Sequence, residues 1–130
     1  MKDSFLYKVA TMEHNAAVIT LVERPQTICY LEAENTVTHL FLENDTRFTI
    51  SAMLHELEDL LPQSTFFYCG KSYMVNAEKV LEYWVSSDPI LVMSCGHIVP
   101  VPKAEMHQVQ LSLKLKSEGL ENKPKVVTHF

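Results

Sequence analysis

The sequence predicts a mostly β domain with minor α content, and two observations carry that prediction. Short runs rich in Val, Ile, Thr, Tyr and Phe recur from residue 18 onward, separated by turn-forming residues. Only residues 51–61 and 103–116 instead place apolar side chains at helical spacing. The order is therefore strands, a central helix, strands and a C-terminal helix, which excludes a βαβ array, and no internal repeat is visible.

Residues 1–15 show no strong period and are expected to form an N-terminal arm or a short strand. Residues 18–24 (VITLVER), 27–34 (TICYLEAE) and 37–43 (VTHLFLE) read as consecutive strands, broken at Arg24-Pro25-Gln26 and Asn35-Thr36. Strict alternation in the second would put Ile28, Tyr30 and Glu32 on one face and Cys29, Leu31 and Ala33 on the other. Both of its faces should then be at least partly covered. Asn44-Asp45 marks a hairpin turn into 46–50 (TRFTI), because Asn and Asp tolerate positive φ.

Residues 51–61 predict a helix with Ser51 as N-cap, an apolar stripe of Met53, Leu54, Leu57, Leu60 and Leu61, and Pro62 as the stop. His55, Glu56, Glu58 and Asp59 then form its solvated face. Residues 66–76 (FFYCGKSYMVN) read as strand interrupted at Gly70, a sign of a bulge or a close backbone approach, with Asn76 capping the next turn. Strands follow at 80–86, 90–95 and 98–101. Pro102 suits the start of a helix over 103–116, where Met106, Val109 and Leu113 form one stripe and Leu111 and Leu115 another. Residues 117–130, with Gly119 and Pro124, are expected as a flexible tail, so the domain itself spans 16–116.

Composition narrows the function classes. The 130 residues, 47% hydrophobic and 21% charged, suit one globular domain that needs no disulfide or metal to be stable. No apolar run approaches the roughly 20 residues of a membrane helix, and the start lacks a signal-peptide core, so a cytoplasmic protein without membrane contact is expected. Cys29, Cys69 and Cys95 are an odd set without CxxC spacing and read as buried free thiols. Residues 1–62 hold 4 Lys+Arg against 10 Asp+Glu, whereas residues 63–130 hold 7 against 6.

The six histidines, at 14, 39, 55, 97, 107 and 129, show no HExxH or clustered metal spacing. Cys69 beside Gly70-Lys71 has no identifiable base to activate it. Gly70-Lys71-Ser72 is no phosphate-binding loop, since Gly70 is the only glycine among the first 95 residues. Neither an enzyme nor a metal or small-molecule cofactor is expected.

Four segments, ICYLEAENTVTHLFLEN, SAMLHELEDLLP, FFYCGKSYMVN and HIVPVPK, resemble in order and spacing the motifs of the LytTR DNA-binding domain, an output module of bacterial response regulators. The resemblance covers about residues 16–114. It implies an elongated fold of antiparallel β-sheets with a packed central helix, in which loops enter successive DNA major grooves. Carried over residue by residue, it assigns DNA contacts to Asn35, Thr36, Thr38 and His39, to Lys71 with Ser72, and to Lys103. Where the family has Arg, His and Arg, this chain has Tyr68, Gly70 and Lys71, and Pro102-Lys103 replaces Ser-Arg. Lysine keeps the charge without the planar fork of arginine, so Lys71 and Lys103 suit phosphates better than guanine edges.

The expected function is thus a stand-alone transcriptional regulator of two-component type that reads direct-repeat promoter sites on double-stranded DNA. The alternative is a degenerate domain used for protein association, motivated by the acidic balance. In that case the apolar stripes of the last helix could form a homodimer surface, although covering the domain's own sheet is the role expected of them first.

Overall fold

Three layers make up the described chain, residues 12–129 of a computed structural model. Residues 1–11, most of the expected N-terminal arm, lie outside the described residues, as does residue 130. The elements are α1 (Met12–Glu23), β1 (Ile28–Glu34), β2 (Val37–Leu42), β3 (Arg47–Ile50), α2 (Leu54–Leu57), β4 (Phe66–Cys69), β5 (Tyr73–Asn76), β6 (Val80–Ser86), β7 (Ile90–Met93), β8 (Ile98–Pro100), α3 (Met106–Lys116) and β9 (Lys125–His129). The first sheet has five strands in the order β3-β2-β1-β5-β4, and the second has four in the order β8-β7-β6-β9.

The first sheet is covered on both faces, as the sequence of β1 requires. One face packs Ile28, Leu31, Leu40, Ile50, Phe66 and Met74 against Ala17 and Leu21 of α1 and Leu54 and Leu57 of α2. The other packs Tyr30, Phe67 and Val75 against Tyr83, Leu91, Met93 and Val99 of the second sheet and Val109 and Leu113 of α3. Alternation along β4 sends Phe66 to the first core and Phe67 to the second.

Within β1 the alternation slips once. Ile28 pairs with Leu42 and Tyr30 with Phe41, so Cys29 is the extra residue of a β-bulge. The bulge turns Cys29 and Tyr30 toward the same core and leaves Ile28 with Leu31 on the opposite one. Tyr30 and Glu32 share a face as expected, but Ile28 and Cys29 have exchanged sides.

Of residues 18–24, expected as a strand, 18–23 belong to α1 and Arg24 follows its end. Their β-branched side chains favour a strand locally, yet Ala17 and Leu21, four residues apart, are both fully buried over the sheet. Tertiary burial along a helical face outweighs a propensity difference of a few tenths of a kcal/mol per residue. The central helix is also shorter than expected: α2 spans Leu54–Leu57 and continues as a 3-10 turn over Glu58–Leu60. Ser51 does not cap it. Instead, the Met53 N–H donates to the Glu56 carboxylate at 2.9 Å. Met53 and Leu60 are 44% and 42% exposed, so the buried stripe reduces to Leu54, Leu57 and Leu61.

Residues 66–76 form a hairpin, not an interrupted strand, with Cys69 paired to Tyr73 across Gly70-Lys71-Ser72. Asn44 and Asp45 take φ of 61° and 58°, the primed turn expected between β2 and β3. On α3 the stripe of Met106, Val109 and Leu113 faces the core, while Leu111 and Leu115 are 43% and 59% exposed. In the stretch expected as a tail, β9 pairs in parallel with β6, from Glu82–Lys125 to Ser86–His129.

Asn76 is fully buried, and its side chain donates to the Ile28 carbonyl at 2.9 Å and accepts from the Glu78 N–H at 3.0 Å. Asn76→Ala strands both backbone groups and should cost about 2–4 kcal/mol. In urea this will appear as a lower midpoint with an unchanged slope.

Burial pushes the Cys29 and Cys69 thiols up to about 12, assisted by the Cys95 thiol in the first case and the Glu105 carboxylate in the second. Since the thiolate is the reactive species, iodoacetamide at mildly alkaline pH should label half-buried Cys95 first. Mass spectrometry should find Cys29 and Cys69 modified only after unfolding.

Candidate nucleic-acid interface

Strand register brings the expected contact loops to one end of the first sheet. Glu34 pairs with Val37, which leaves Asn35 and Thr36 as a two-residue tip between β1 and β2. Asn35 takes φ of 56°, a conformation Asn adopts more readily than most side chains. Both tip residues are exposed. The β4–β5 tip lies beside this one, because the Ala33 N–H donates to the Ser72 carbonyl at 2.8 Å. Lys71 and Ser72 are both exposed there.

Lys103 joins them through Gly70. At φ of +67° Gly70 occupies the left-handed region, and a Cβ on it would stand 3.1 Å from Pro102 Cγ. The Gly70 N–H donates to Glu105 Oε1 at 3.1 Å. These two contacts dock the turn opening α3, which begins with exposed Lys103, against the base of the Lys71 turn. Among the described residues neither lysine enters an ion pair, so both charges face solvent.

The other expected contacts fare differently. Thr38 is fully buried, and its hydroxyl donates to the Ala52 carbonyl at 2.8 Å, so it secures β2 to the segment that leads into α2 and is withdrawn from the surface. His39 is 12% exposed, with Nε2 2.9 Å from Glu34 Oε1 and Nδ1 2.8 Å from Thr49 Oγ1. Both ring nitrogens are engaged within the protein, which leaves Glu34 as the group presented outward. Lys79, which is not among the expected contacts, lies at the opposite end of the sheet, 3.7 Å from Glu43.

That opposite end joins the two sheets. Tyr30 stacks on Phe41 at 4.6 Å and shares a hydrogen bond with His97 Nδ1 at 2.9 Å, while His97 Nε2 is 3.9 Å from Asp45. Burial, followed by the Cys95 thiol, raises the Tyr30 hydroxyl above its ordinary range, so it stays protonated and can donate. Tyr73 is raised likewise, by burial and then by Glu32, to whose carboxylate it donates at 3.2 Å.

Cys69 is fully buried and directs its thiol to the Pro100 carbonyl at 3.4 Å, the opposite of an activated nucleophile. Among the described residues no group of three His, Cys, Asp or Glu is placed to hold a metal ion, and no helix is long and apolar enough to cross a membrane. A cleft of about 440 Å³ between β4 and α3 is lined by Glu58, Phe66, Tyr68, Gln108 and Lys116, among others. None of the expected contact residues lines it.

Sequence reasoning missed Glu105 and Glu34. Glu105 acts on a residue 35 positions away, which no local pattern reveals. Glu34 could have been found, since strand alternation places it on the face of Glu32, beside the turn that exposes Asn35.

Residues 19–114 match the family model of the LytTr DNA-binding domain. The chain is also similar, at 29% identity and a TM-score of 0.60, to the LytTr DNA-binding domain of a Bacillus cereus protein described as a methyl-accepting/DNA response regulator. That similarity covers 68% of this chain and 82% of the other. None of the curated proteins compared matches it. With the family's motifs in order along the sequence and its match spanning the first sheet, β6 to β8 and most of α3, the chain belongs to the LytTr DNA-binding domain family.

Proposed function

We propose that the chain regulates transcription by setting the loop-bearing end of its first sheet into the major groove of double-stranded DNA. The observation that carries this reading is the convergence of three sequence-distant loops, at 35–36, 71–72 and 103, on one end of the sheet. Lys71 and Lys103 neutralise phosphates, and Asn35, Thr36 and Ser72 offer hydrogen bonds to base edges. Thr38, being buried, is left out of this set. Paired direct repeats, each half-site taken by one copy of the domain, are the DNA arrangement we propose.

Two phosphate-neutralising lysines per domain predict that log K falls with log salt with a slope of about −1.8. Binding of the chain to a direct-repeat promoter duplex, measured at several KCl concentrations, gives that slope per bound domain. Lys71→Ala should flatten it by about 0.9, whereas Lys79→Ala should leave it unchanged. Binding that does not respond to salt, or an equal response to both variants, would refute the assignment.

A further inference from the structure

Among the acidic side chains around the three loops, Glu34 has an unusual support. Glu32 accepts from the Tyr73 hydroxyl and Glu105 from the Gly70 N–H, each within the protein. Glu34 is 65% exposed at the end of β1, beside the Asn35-Thr36 tip. Its Oε1 lies 2.9 Å from His39 Nε2, and Nδ1 of the same ring lies 2.8 Å from Thr49 Oγ1.

The donors in this chain follow from its chemistry. An ionised carboxylate only accepts, so Nε2 carries the proton of that bond, and Nδ1 on the other side of the ring is held by the Thr49 hydroxyl. The carboxylate direction is thus set from within the sheet. The bond to His39 uses one oxygen and leaves acceptor capacity on the other.

A fixed negative charge beside the Asn35-Thr36 tip would be repelled by phosphates, so the counterpart it suits on DNA is a hydrogen-bond donor. The major groove offers two donors, adenine N6 and cytosine N4. Adenine N6 adjoins the N7 acceptor, whose lone pair opposes a carboxylate, whereas cytosine presents its amino group without an adjacent ring acceptor. We propose that Glu34, positioned by His39, determines specificity by accepting a hydrogen bond from the N4 amino group of a cytosine in the major groove. This rests on the reading of the three loops as the DNA-binding edge.

The test is selection of a randomised synthetic duplex library by the full chain, followed by affinity measurements on the selected duplex. One position should be held as cytosine, and replacing that C·G pair by T·A should weaken binding about tenfold. Glu34→Gln, close in shape but no longer acceptor-only, should lose that discrimination or transfer it to adenine at the same position. His39→Phe, which keeps the carboxylate but removes its support, should lose part of it with an unchanged salt slope.

Glu34→Gln selecting the same sequence, or strengthening binding to every duplex equally, overturns the inference, and full discrimination by His39→Phe overturns the positioning role. Retention of DNA without any base preference overturns it while the DNA-binding reading stands. Failure to retain any duplex at low salt overturns both.

Discussion

The side chain of Asn76 sets the corner on which both sheets depend. Its amide reaches the first residue of the central strand β1 and also holds the turn that opens β6, so one buried group ties the two sheets together. Neither an aspartate, which lacks the donor, nor an aliphatic residue, which lacks both functions, could do this. A second joint, built from Tyr30, Phe41 and His97, fastens the far end of the first sheet to the β7–β8 turn. With that end occupied, the opposite end remains available for the three loops.

Most of the strands were legible because each is a short apolar run bounded by residues with turn chemistry, such as Asn44-Asp45 or Ser87-Asp88-Pro89. The C-terminal helix was legible too, since Met106, Val109 and Leu113 keep helical spacing and all pack on the core. α1 was not, because a Val-Ile-Thr run has strand propensity whatever surface it is placed against. The bulge at Cys29 was equally hidden: an inserted residue leaves no mark in a strand whose two faces are both apolar.

The candidate site divides along the same line. Residue types at the tips, Asn35, Lys71 and Lys103, could be read from the chain, whereas burial and convergence could not. Thr38 stands two residues beyond an exposed tip, yet strand pairing turns its hydroxyl inward to Ala52. The docking of Pro102 on Gly70 joins segments that sequence treats as unrelated. It also gives the missing side chain at position 70 a physical meaning, since a Cβ would press on Pro102 where the two loops meet, at a φ that side chains rarely adopt. Resemblance to a family thus pointed to loops that converge at one end of the sheet, but only the three-dimensional arrangement sorted exposed groups from structural ones.

The turn that carries Lys71 is held by its pairing in the β4–β5 hairpin, by the bond from Ala33 to Ser72, and by Glu105 and Pro102 at Gly70. Its backbone entropy is therefore surrendered when the chain folds, and not when a ligand arrives. What remains to be ordered on association is chiefly the lysine side chain, at a cost of about 0.5–1.5 kcal/mol. A surface with few positive charges can thus retain more of the attraction that each one supplies.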